Sequence, residues 1–536
     1  MSFRANEANS MQTGMFDMYS VMSEREKKML NSSWATIFAE KVFPAINEEI
    51  FQDMYSNEAS RPNTPVNVLV GALILKELNG LSDDEVFHAL LFDVRYRMAL
   101  HTINMQEQPI SDRSLGRFRA RCETYKKETG KDPLHDCITG LSGELAEIMK
   151  IDRSLRRMDS MMIESNIKRM SRLQLLYACM AGMMKHLKKT EKEIPDTLKH
   201  YLNQDDKNLF IYHNRAENTA SKINTILEEA KVLMELCAGG GYDEVTEYQL
   251  LIRALDEQAT QNEDGGYQLK QAGDPTMSSE ILQTPTDPEA TYRSKAGKEH
   301  IGYSANIVEE TGEAGSIVTD YQFEQNTHSD AAFATEYMEK EGNQAETVTV
   351  VADGAYSGAK VENAAKENNF QIVNTNLTGK EAPDLAADFV FNEDGTMVVK
   401  CPNGIEPKSC CHNKNGSCVV SFHKEHCENC PYFDQCKPKL YAKTARKIIS
   451  QRTQQRAQKQ RDRKTETFRK MSAFRNGVET VPSFLRRIFH VDQMPVRGKL
   501  RSEIFFGCKI AGLNVLKFCK FQNRRNTSAQ IVLNEG

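Results

Sequence analysis

Apolar residues in the first third of the chain recur at the spacing of α-helices. Residues 66–78 form an apolar run that predicts a helix, and the Asn-Gly pair that follows them is typical of a helix end. Ser82 and Glu85 have the spacing of a capping box, with serine at the N-cap and glutamate at N3. A second helix is therefore predicted to begin there and to extend to about Leu100.

The helical period continues through the middle of the chain and then changes to a period of two. Residues 167–255 form long runs with helical spacing and few strand formers, which predicts a helical block. Gly, Asp, Gln, Pro and Thr dominate residues 262–288, a composition typical of a linker or exposed loop. Three segments rich in β-branched and aromatic residues follow and predict strands: residues 300–308, 316–323 and 347–352. A mixed α/β core is therefore predicted to begin after the linker.

Composition indicates a large soluble protein with at least two cores. The chain has 536 residues, roughly three to four times the usual domain size, and 40% of them are hydrophobic and 27% charged. These fractions exclude collagenous, fibrous and wholly disordered chains. The longest apolar stretches are about half of the roughly 20 residues that a membrane span requires, and the N-terminus is polar. We expect a soluble, unexported, cytoplasmic protein without membrane contact.

Charge is distributed unevenly, although the net charge is only −5. Residues 442–536 contain 22 Lys and Arg against 6 Asp and Glu, whereas residues 241–346 contain 6 basic and 22 acidic residues. The basic region suits a polyanionic partner, and the acidic region faces solvent or shields the basic part. Residues 443–470 alone hold 11 bases and 2 acids, which favours sequence-independent contact with a phosphate backbone. The alternative for this run is a solvated helix or a disordered tail.

Basic residues also recur in the N-terminal helical region. Ser111 has the position of a helix N-cap, and Arg113, Arg117 and Arg121 follow at intervals of four. Residues at this interval lie on one helix face, which suits phosphate contact. An ordinary solvated helix face is the alternative interpretation.

Three carboxylates lie where metal-dependent chemistry on a phosphodiester could use them. Asp353 directly follows an apolar strand segment and precedes a glycine-flanked turn, a common position for a metal ligand in an α/β sheet. Asp159 lies in a short hydrophobic segment that has the pattern of a first strand. Glu479 is surrounded by bases, so it either balances charge on a surface or binds metal beside a phosphate path. Phosphodiester hydrolysis or transfer uses two Mg²⁺ ions about 4 Å apart, held by carboxylates.

Cysteines cluster in one short part of the chain. Seven of the 13 lie between Cys401 and Cys436, which indicates metal binding rather than a disulfide framework. Cys401, Cys427, Cys430 and Cys436 have spacings compatible with a tetrahedral structural Zn²⁺ site. Cys418, His423 and His426 are substitutes for one of these ligands, whereas the adjacent Cys410 and Cys411 fit a single site poorly. Free thiols on a small insert are the alternative.

The sequence resembles the DDE transposases of bacterial insertion sequences, specifically the insertion sequence eleven-eighty-two branch, from about Arg61 to Lys520. The resemblance rests on RPNTPVNVLVGALILKELNGLSDDEVFHALLFDVRYRMAL with PISDRSLGRFRAR, and on MDSMMIESN, DPEATYRSKAGKEHIGYSANI, VVADGAYSG, RNGVETVPSFLRR, RGK and AGLNVLKF. It implies that Asp159, Asp353 and Glu479 bind Mg²⁺ or Mn²⁺, with Glu466 and Glu503 as alternatives for the third acid. Arg475 and Arg486 occupy the positions of the basic residues that flank the glutamate of the family. The bases that follow, Arg487, Arg497 and Lys499, are further candidate DNA contacts.

The resemblance also implies a fold and a reaction. The fold is α/β: an RNase H-like mixed sheet with flanking helices, an N-terminal all-helical domain, a helical insertion and a small Cys-rich insert. We predict the following segments: irregular polar residues 1–60; a helical, DNA-binding-like domain over 61–150; the first part of the catalytic core over 151–395, with the insertion at about 167–260; a Cys-rich zinc insert over 396–440; and, over 441–536, a basic segment and the C-terminal part of the core.

The reaction implied is hydrolysis of a phosphodiester at the end of an insertion sequence, followed by transfer of the freed 3′-OH to target DNA. The protein is then expected to bind double-stranded DNA as a homo-oligomer, in a bacterial cytoplasm and at the nucleoid. Two alternatives remain open from the sequence. One is a metal-dependent nuclease without strand transfer, and the other is a catalytically inactive DNA-binding descendant of a transposase.

Overall fold

The computed structural model describes residues 1–6, 18–56, 58, 61–103, 110–212, 216–271, 273–295, 297–376, 380–414 and 416–534. The chain divides into two compact units. The first unit comprises Met1–Arg153, Asp159–Phe333 and Thr480–Gly536, and the second comprises Ser154–Met158 and Ala334–Glu479.

The α-helices are α1 Met18–Val21, α2 Glu24–Asn31, α3 Trp34–Ile37, α4 Val66–Asn79, α5 Asp83–Phe92, α6 Val94–Ala99, α7 Ser114–Thr129, α8 Pro133–Ile148, α9 Arg172–Lys189, α10 Gln204–Lys207, α11 Thr219–Cys237, α12 Thr246–Gln258, α13 Asp330–Glu341, α14 Ala359–Glu367, α15 Lys424–Glu428, α16 Phe433–Cys436, α17 Gln451–Asp462, α18 Glu466–Asn476, α19 Thr480–Arg487 and α20 Lys499–Asn534. The strands are β1 Asp152–Glu164, β2 Ala259–Gln261, β3 Tyr267–Leu269, β4 Thr291–Lys295, β5 Lys298–Gly312, β6 Gly315–Gln325, β7 Val348–Ala352, β8 Phe370–Asn374, β9 Val390–Phe391, β10 Val398–Lys400, β11 Ser409–His412, β12 Ser417–His423, β13 Lys439–Leu440 and β14 Thr444–Ser450.

The N-terminal helices of the first unit begin and end close to the predicted positions. Helix α4 ends at Gly80, whose φ of 65° is the left-handed conformation that glycine adopts readily. Ser82 and Glu85 form the predicted capping box of α5. The predicted second helix is divided in two, because the Asp93 side chain accepts a hydrogen bond from the backbone of Arg95 and so caps α6. Helix α7 begins at Ser114, three residues after the predicted cap.

The segment before Arg61 is more ordered than its polar composition predicts. It carries the short helices α1 to α3, together with a π-helix at Phe38–Val42 and a 3-10 helix at Glu49–Met54. The aromatic side chains of Phe38, Phe43 and Phe51 are fully buried in the hydrophobic core of the first unit. Ala35, Phe38, Ala39, Val42 and Phe43 recur at helical spacing, a signal that the polar composition of the first sixty residues outweighed in the prediction.

The middle of the first unit contains the predicted helical block. Helices α9, α11 and α12 surround a core that includes Leu176, Met183, Ile226, Leu233 and Leu251. The predicted linker after it consists mainly of turns, with strand β3 paired to β2 in a two-stranded antiparallel sheet. This part of the first unit is therefore mainly helical up to Gln258 and mainly irregular after it.

Long antiparallel strands follow in the first unit. Strand β5 pairs with β4 over residues 298–302 and with β6 over residues 303–312, and these strands contain two of the three predicted strand segments. Helix α20 packs on β6, where the buried side chain of Asn514 accepts a hydrogen bond from Val318 N at 3.0 Å and donates one to Val318 O at 2.7 Å. This pair of bonds fixes the helix against the strand.

The second unit supplies parallel pairs. The part of β1 within it pairs with β7, and β7 pairs with β8, both in parallel. A separate antiparallel sheet follows in the order β11-β12-β14-β13. The fold is therefore mixed α/β with parallel and antiparallel strands and many helices, as predicted. Within the described part of the chain, no helix is long and apolar enough to cross a membrane.

Candidate active site

Strand β7 ends directly before Asp353, and the turn that follows is held by hydrogen bonds. Ala355 N donates to the Asp353 carboxylate at 2.8 Å. The side-chain amide of Asn374, at the end of β8, donates to Asp353 O at 2.9 Å and to Tyr356 O at 3.1 Å. The carboxylate is 29% exposed, so it remains open to solvent at the carboxyl end of a parallel strand. This is the position in an α/β sheet where ligands commonly bind.

Glu479 lies on a short turn of chain that follows α18. Helix α18 ends at Asn476, Gly477–Glu479 forms one 3-10 turn, and α19 begins at Thr480. Pro482 falls in the first turn of α19, where its missing N–H leaves no hydrogen bond unmade. The Glu479 side chain is 61% exposed and therefore accessible to a ligand.

Arg475 connects the two carboxylates. Its Nη1 lies 3.2 Å from Glu479 Oε1, and its Nη2 lies 4.0 Å from Asp353 Oδ2. The Arg475 side chain is only 12% exposed. Two of the three acids predicted from the sequence thus share one guanidinium in the second unit.

Arg157 fixes the end of α18, a role that the sequence did not reveal. Its Nη1 donates to Phe474 O at 2.9 Å, and its guanidinium carbon lies 5.4 Å from the centre of the Phe474 ring. A Cβ at Gly477 would overlap Arg157 Nη1, so a larger residue there forces the guanidinium to shift. Arg157 is buried on β1, in the parallel register with Val351.

Gly477→Ala is expected to lower the free energy of unfolding by about 1–3 kcal/mol, because the new methyl group displaces the buried Arg157 guanidinium from its hydrogen bond. Chemical denaturation followed by circular dichroism measures this change. Gly116→Ala is the matched control, since nothing lies within 4 Å of a Cβ there and the residue is inside helix α7. The control should be neutral or stabilising by up to about 1 kcal/mol. Equal effects of the two substitutions would contradict the role of Gly477.

Asp159 lies on β1 in the first unit and is half-buried. Ser160 N donates to its carboxylate at 3.1 Å, and Ser160 Oγ donates to the buried Asp330 at 2.7 Å. The predicted first strand is therefore present, with this acid on it. Asp353 and Glu479 belong to the second unit.

The two alternative third acids have other partners. Glu466 is 81% exposed and pairs with Lys470 one helical turn away, at 3.1 Å. Glu503 is buried, and its carboxylate lies 2.6 Å from Lys126, which also pairs with Asp132. Burial raises the pKa of Glu503. An acid enclosed in this way is part of the interior of the first unit and is poorly placed to bind an external metal.

The three arginines predicted on one helix face are in different environments. Arg113 is exposed and immediately precedes α7. Arg117 and Arg121 both line an open cavity of about 540 Å³ beside Tyr55. The guanidinium carbon of Arg121 lies 4.4 Å from the centre of the Tyr55 ring, and its Nη1 donates to Met54 O at 3.3 Å.

The bases downstream of Glu479 mostly have partners within the first unit. Arg486 pairs with Asp492 at 3.1 Å and donates to Met162 O at 2.9 Å. Two others also contact acceptors from distant parts of the chain: Arg497 donates to Asn166 O at 2.7 Å, and Lys499 pairs with Glu324 at 2.5 Å. Arg487 is exposed.

The basic run over residues 443–470 forms strand β14, helix α17 and the first part of α18. Some of its bases are bound within the second unit. Lys459 pairs with Glu362 at 2.7 Å, and Arg461 pairs with Asp384 and Asp388 at 2.9 and 2.5 Å. The hydrogen bond from Arg461 lowers the pKa of both aspartates. Arg452, Lys464 and Lys470 remain exposed.

The cysteine-rich segment surrounds a small cavity. Cys401, Cys427, Cys430 and Cys436 all line a space of about 30 Å³, together with His426 and apolar side chains. Burial and the three neighbouring thiols raise the pKa of Cys427 to about 11. The other predicted substitutes and the excluded pair lie elsewhere: Cys418 is buried on β12, His423 ends that strand, and Cys410 and Cys411 lie on β11.

Neither predicted metal site is preformed at ligand distances. Among the residues that the structure describes, no group of three or more His, Cys, Asp and Glu side chains is arranged to hold a metal ion. The donor types nevertheless suit the predicted metals, because carboxylate oxygens are ligands for Mg²⁺ and thiolates are ligands for Zn²⁺.

Two family models match the chain. Residues 400–519 match a family described as Transposase DDE domain, and residues 26–121 match one described as Transposase domain (DUF772). Neither match spans half of the chain, and no curated protein or solved structure matches it significantly. The first match includes the cysteine-rich segment and Glu479, and the second includes part of the segment before Arg61. The two matches together support a transposase that carries a DDE domain.

Proposed function

We propose that this protein is a DNA transposase of the DDE type, of the insertion sequence eleven-eighty-two branch. It hydrolyses a phosphodiester at the ends of an insertion sequence and transfers the freed 3′-OH to target DNA. The observation that carries this proposal is the pairing of Asp353 and Glu479 with one guanidinium, that of Arg475. Both acids are accessible, and Glu479 lies within the region similar to the DDE domain family.

Asp159, Asp353 and Glu479 would hold the metal, Mg²⁺ or Mn²⁺. When bound, such an ion activates the attacking oxygen and stabilises the leaving oxygen of a phosphodiester. The assignment of Asp159 rests on the resemblance of its segment, MDSMMIESN, to the DDE transposases. The catalytic core that we propose has the RNase H-like arrangement, with α9 to α12 as its helical insertion.

The DNA backbone would be held by basic side chains. Arg475 contacts Asp353 and Glu479, and Arg486, Arg487, Arg497 and Lys499 follow Glu479 in the chain. Arginine forms paired hydrogen bonds with phosphate oxygens, which positions a backbone without reading its sequence. The N-terminal helices, with Arg113, Arg117 and Arg121, would bind the element ends. Because two DNA ends must be cleaved and joined, the protein would act as a homo-oligomer on DNA. It would do so in the cytoplasm, at the nucleoid.

The cysteine-rich insert would be a structural zinc site. Four thiols from separate parts of the segment line one cavity, and soft thiolate ligands select Zn²⁺ over Mg²⁺. The site would hold the chain that follows β10 to the segment from α15 to α16, since so small a segment buries little apolar surface of its own.

Cleavage of labelled duplex DNA that carries the flanks of the gene tests the proposal. The wild-type protein is incubated with Mg²⁺ or with EDTA, and nicked and strand-joined products are scored separately. Joined products that require Mg²⁺ are expected. Nicks without joining would instead indicate the nuclease, and DNA binding without either product would indicate an inactive descendant.

Neutralising exposed bases of the 443–470 run is expected to weaken DNA binding to the same extent whatever the DNA sequence. In the triple variant Arg452→Gln, Lys464→Gln and Lys470→Gln, each lost phosphate contact should reduce the slope of log affinity against log salt by about 0.9. Fluorescence anisotropy at several salt concentrations measures both quantities. Lys366→Gln, an exposed lysine on α14, is the control and should leave the slope unchanged. An unchanged slope in the triple variant would exclude these side chains from the DNA contact.

A further inference from the structure

Arg475 lies between Asp353 and Glu479, the two acids of the second unit that bind a divalent metal according to the proposed function. Its guanidinium is positively charged, as the metal ion is. Its guanidinium lies 3.2 Å from Glu479 and 4.0 Å from Asp353. The Arg475 side chain is only 12% exposed, whereas Glu479 is 61% exposed, so solvent screens this interaction in part. The guanidinium therefore neutralises part of the negative charge that would otherwise attract a metal ion.

We propose that Arg475 is an internal counter-ion that couples metal binding to DNA binding. Without DNA, its positive charge competes with the divalent ion for Asp353 and Glu479. A DNA phosphate offers the guanidinium an alternative partner with two matched hydrogen bonds. Once the guanidinium turns to the phosphate, both carboxylates are released to the metal.

The coupling must work in both directions. If bound DNA raises the affinity of the site for metal, bound metal raises the affinity for DNA by the same factor. The site would thus acquire its metal mainly when a DNA end is present. This inference rests on the proposed function, since it requires that Asp353 and Glu479 bind metal.

The segment that carries Arg475 allows its guanidinium to exchange the carboxylates for a phosphate. Arg475 lies in the last turn of α18, four residues before Glu479, so both side chains are attached to one short stretch of chain. Arg157 anchors the same helix end through Phe474 O. The backbone can therefore stay in place while the guanidinium exchanges partners.

Binding of Mn²⁺ to the full-length protein, measured by electron paramagnetic resonance, tests the proposal without requiring activity. The probe is Mn²⁺ alone, with and without a duplex that carries the flanks of the gene. Wild-type protein should bind Mn²⁺ about tenfold more tightly when the duplex is present. Arg475→Gln should bind it about tenfold more tightly than wild type without DNA, and should gain little when DNA is added. Lys366→Gln, at an exposed lysine on α14 outside the basic run, should behave as wild type.

Two further variants keep the test decisive. Arg475→Lys retains the charge but loses the paired contact with phosphate, so it should bind Mn²⁺ as weakly as wild type and respond less to DNA. Unchanged Mn²⁺ affinity in Arg475→Gln, or an undiminished response to DNA in both Arg475 variants, would overturn the coupling. Glu479→Gln separates this result from the proposed function. If Mn²⁺ binding does not depend on Glu479 even with DNA present, the proposed function and the coupling are both overturned.

Discussion

Asp353→Asn should lower the rate of DNA cleavage at least about a thousandfold, which corresponds to roughly 4 kcal/mol of transition-state stabilisation. The amide oxygen can still accept the hydrogen bond from Ala355 N, so the turn after β7 should keep its shape. What is lost is the negative charge that a divalent ion requires. Single-turnover cleavage of labelled duplex under saturating enzyme measures the effect, and DNA affinity should remain within about twofold of wild type.

Glu466→Gln is the matched control for this substitution. Glu466 is an exposed acid on the helix that precedes Glu479, and it pairs only with a neighbouring lysine among the contacts described for it. Its amide variant should cleave DNA as wild type does. Full activity in Asp353→Asn would remove Asp353 from the site, and a loss in Glu466→Gln as large as that in Asp353→Asn would restore Glu466 as the third acid.

Cys430→Ser should remove zinc from the protein and loosen the cysteine-rich segment. Structural zinc sites contribute apparent binding free energies of about 10–16 kcal/mol at neutral pH, so a segment that depends on one unfolds when a ligand is lost. We expect about one zinc ion per wild-type chain by mass spectrometry, and little in the variant. Limited proteolysis should then cut the variant within residues 396–440 at protease concentrations that spare wild type.

Cys411→Ser controls for the loss of a thiol from the same segment. Cys411 is exposed on β11 and does not line the cavity formed by the four other thiols. Its variant should retain zinc and resist proteolysis. Zinc-free wild-type protein, after expression in zinc-supplemented medium, would favour free thiols instead.

Local sequence signals predicted those parts of the fold that local interactions determine. The capping box of Ser82 and Glu85, the helix end at Gly80 and the apolar strand before Asp353 each depend on a few adjacent residues.

Features that depend on distant parts of the chain could not be predicted. Arg157 appears in the sequence as one of two bases in a hydrophobic segment, and only folding brings it to Phe474 and Gly477. The acceptors of Arg486 and Arg497 lie more than 300 residues earlier, at Met162 and Asn166. The sequence showed their charge but not that these charges already have partners.

Metal rescue of Asp353→Cys tests most directly whether Asp353 binds the catalytic metal. A thiolate is a poor ligand for Mg²⁺ but binds the softer Mn²⁺ and Cd²⁺. The variant should therefore be inactive in Mg²⁺ and should recover DNA cleavage when Mn²⁺ or Cd²⁺ is added, while Glu466→Cys should remain active in Mg²⁺. An Asp353→Cys protein that is folded, binds DNA and cleaves it equally well in Mg²⁺ would contradict the account.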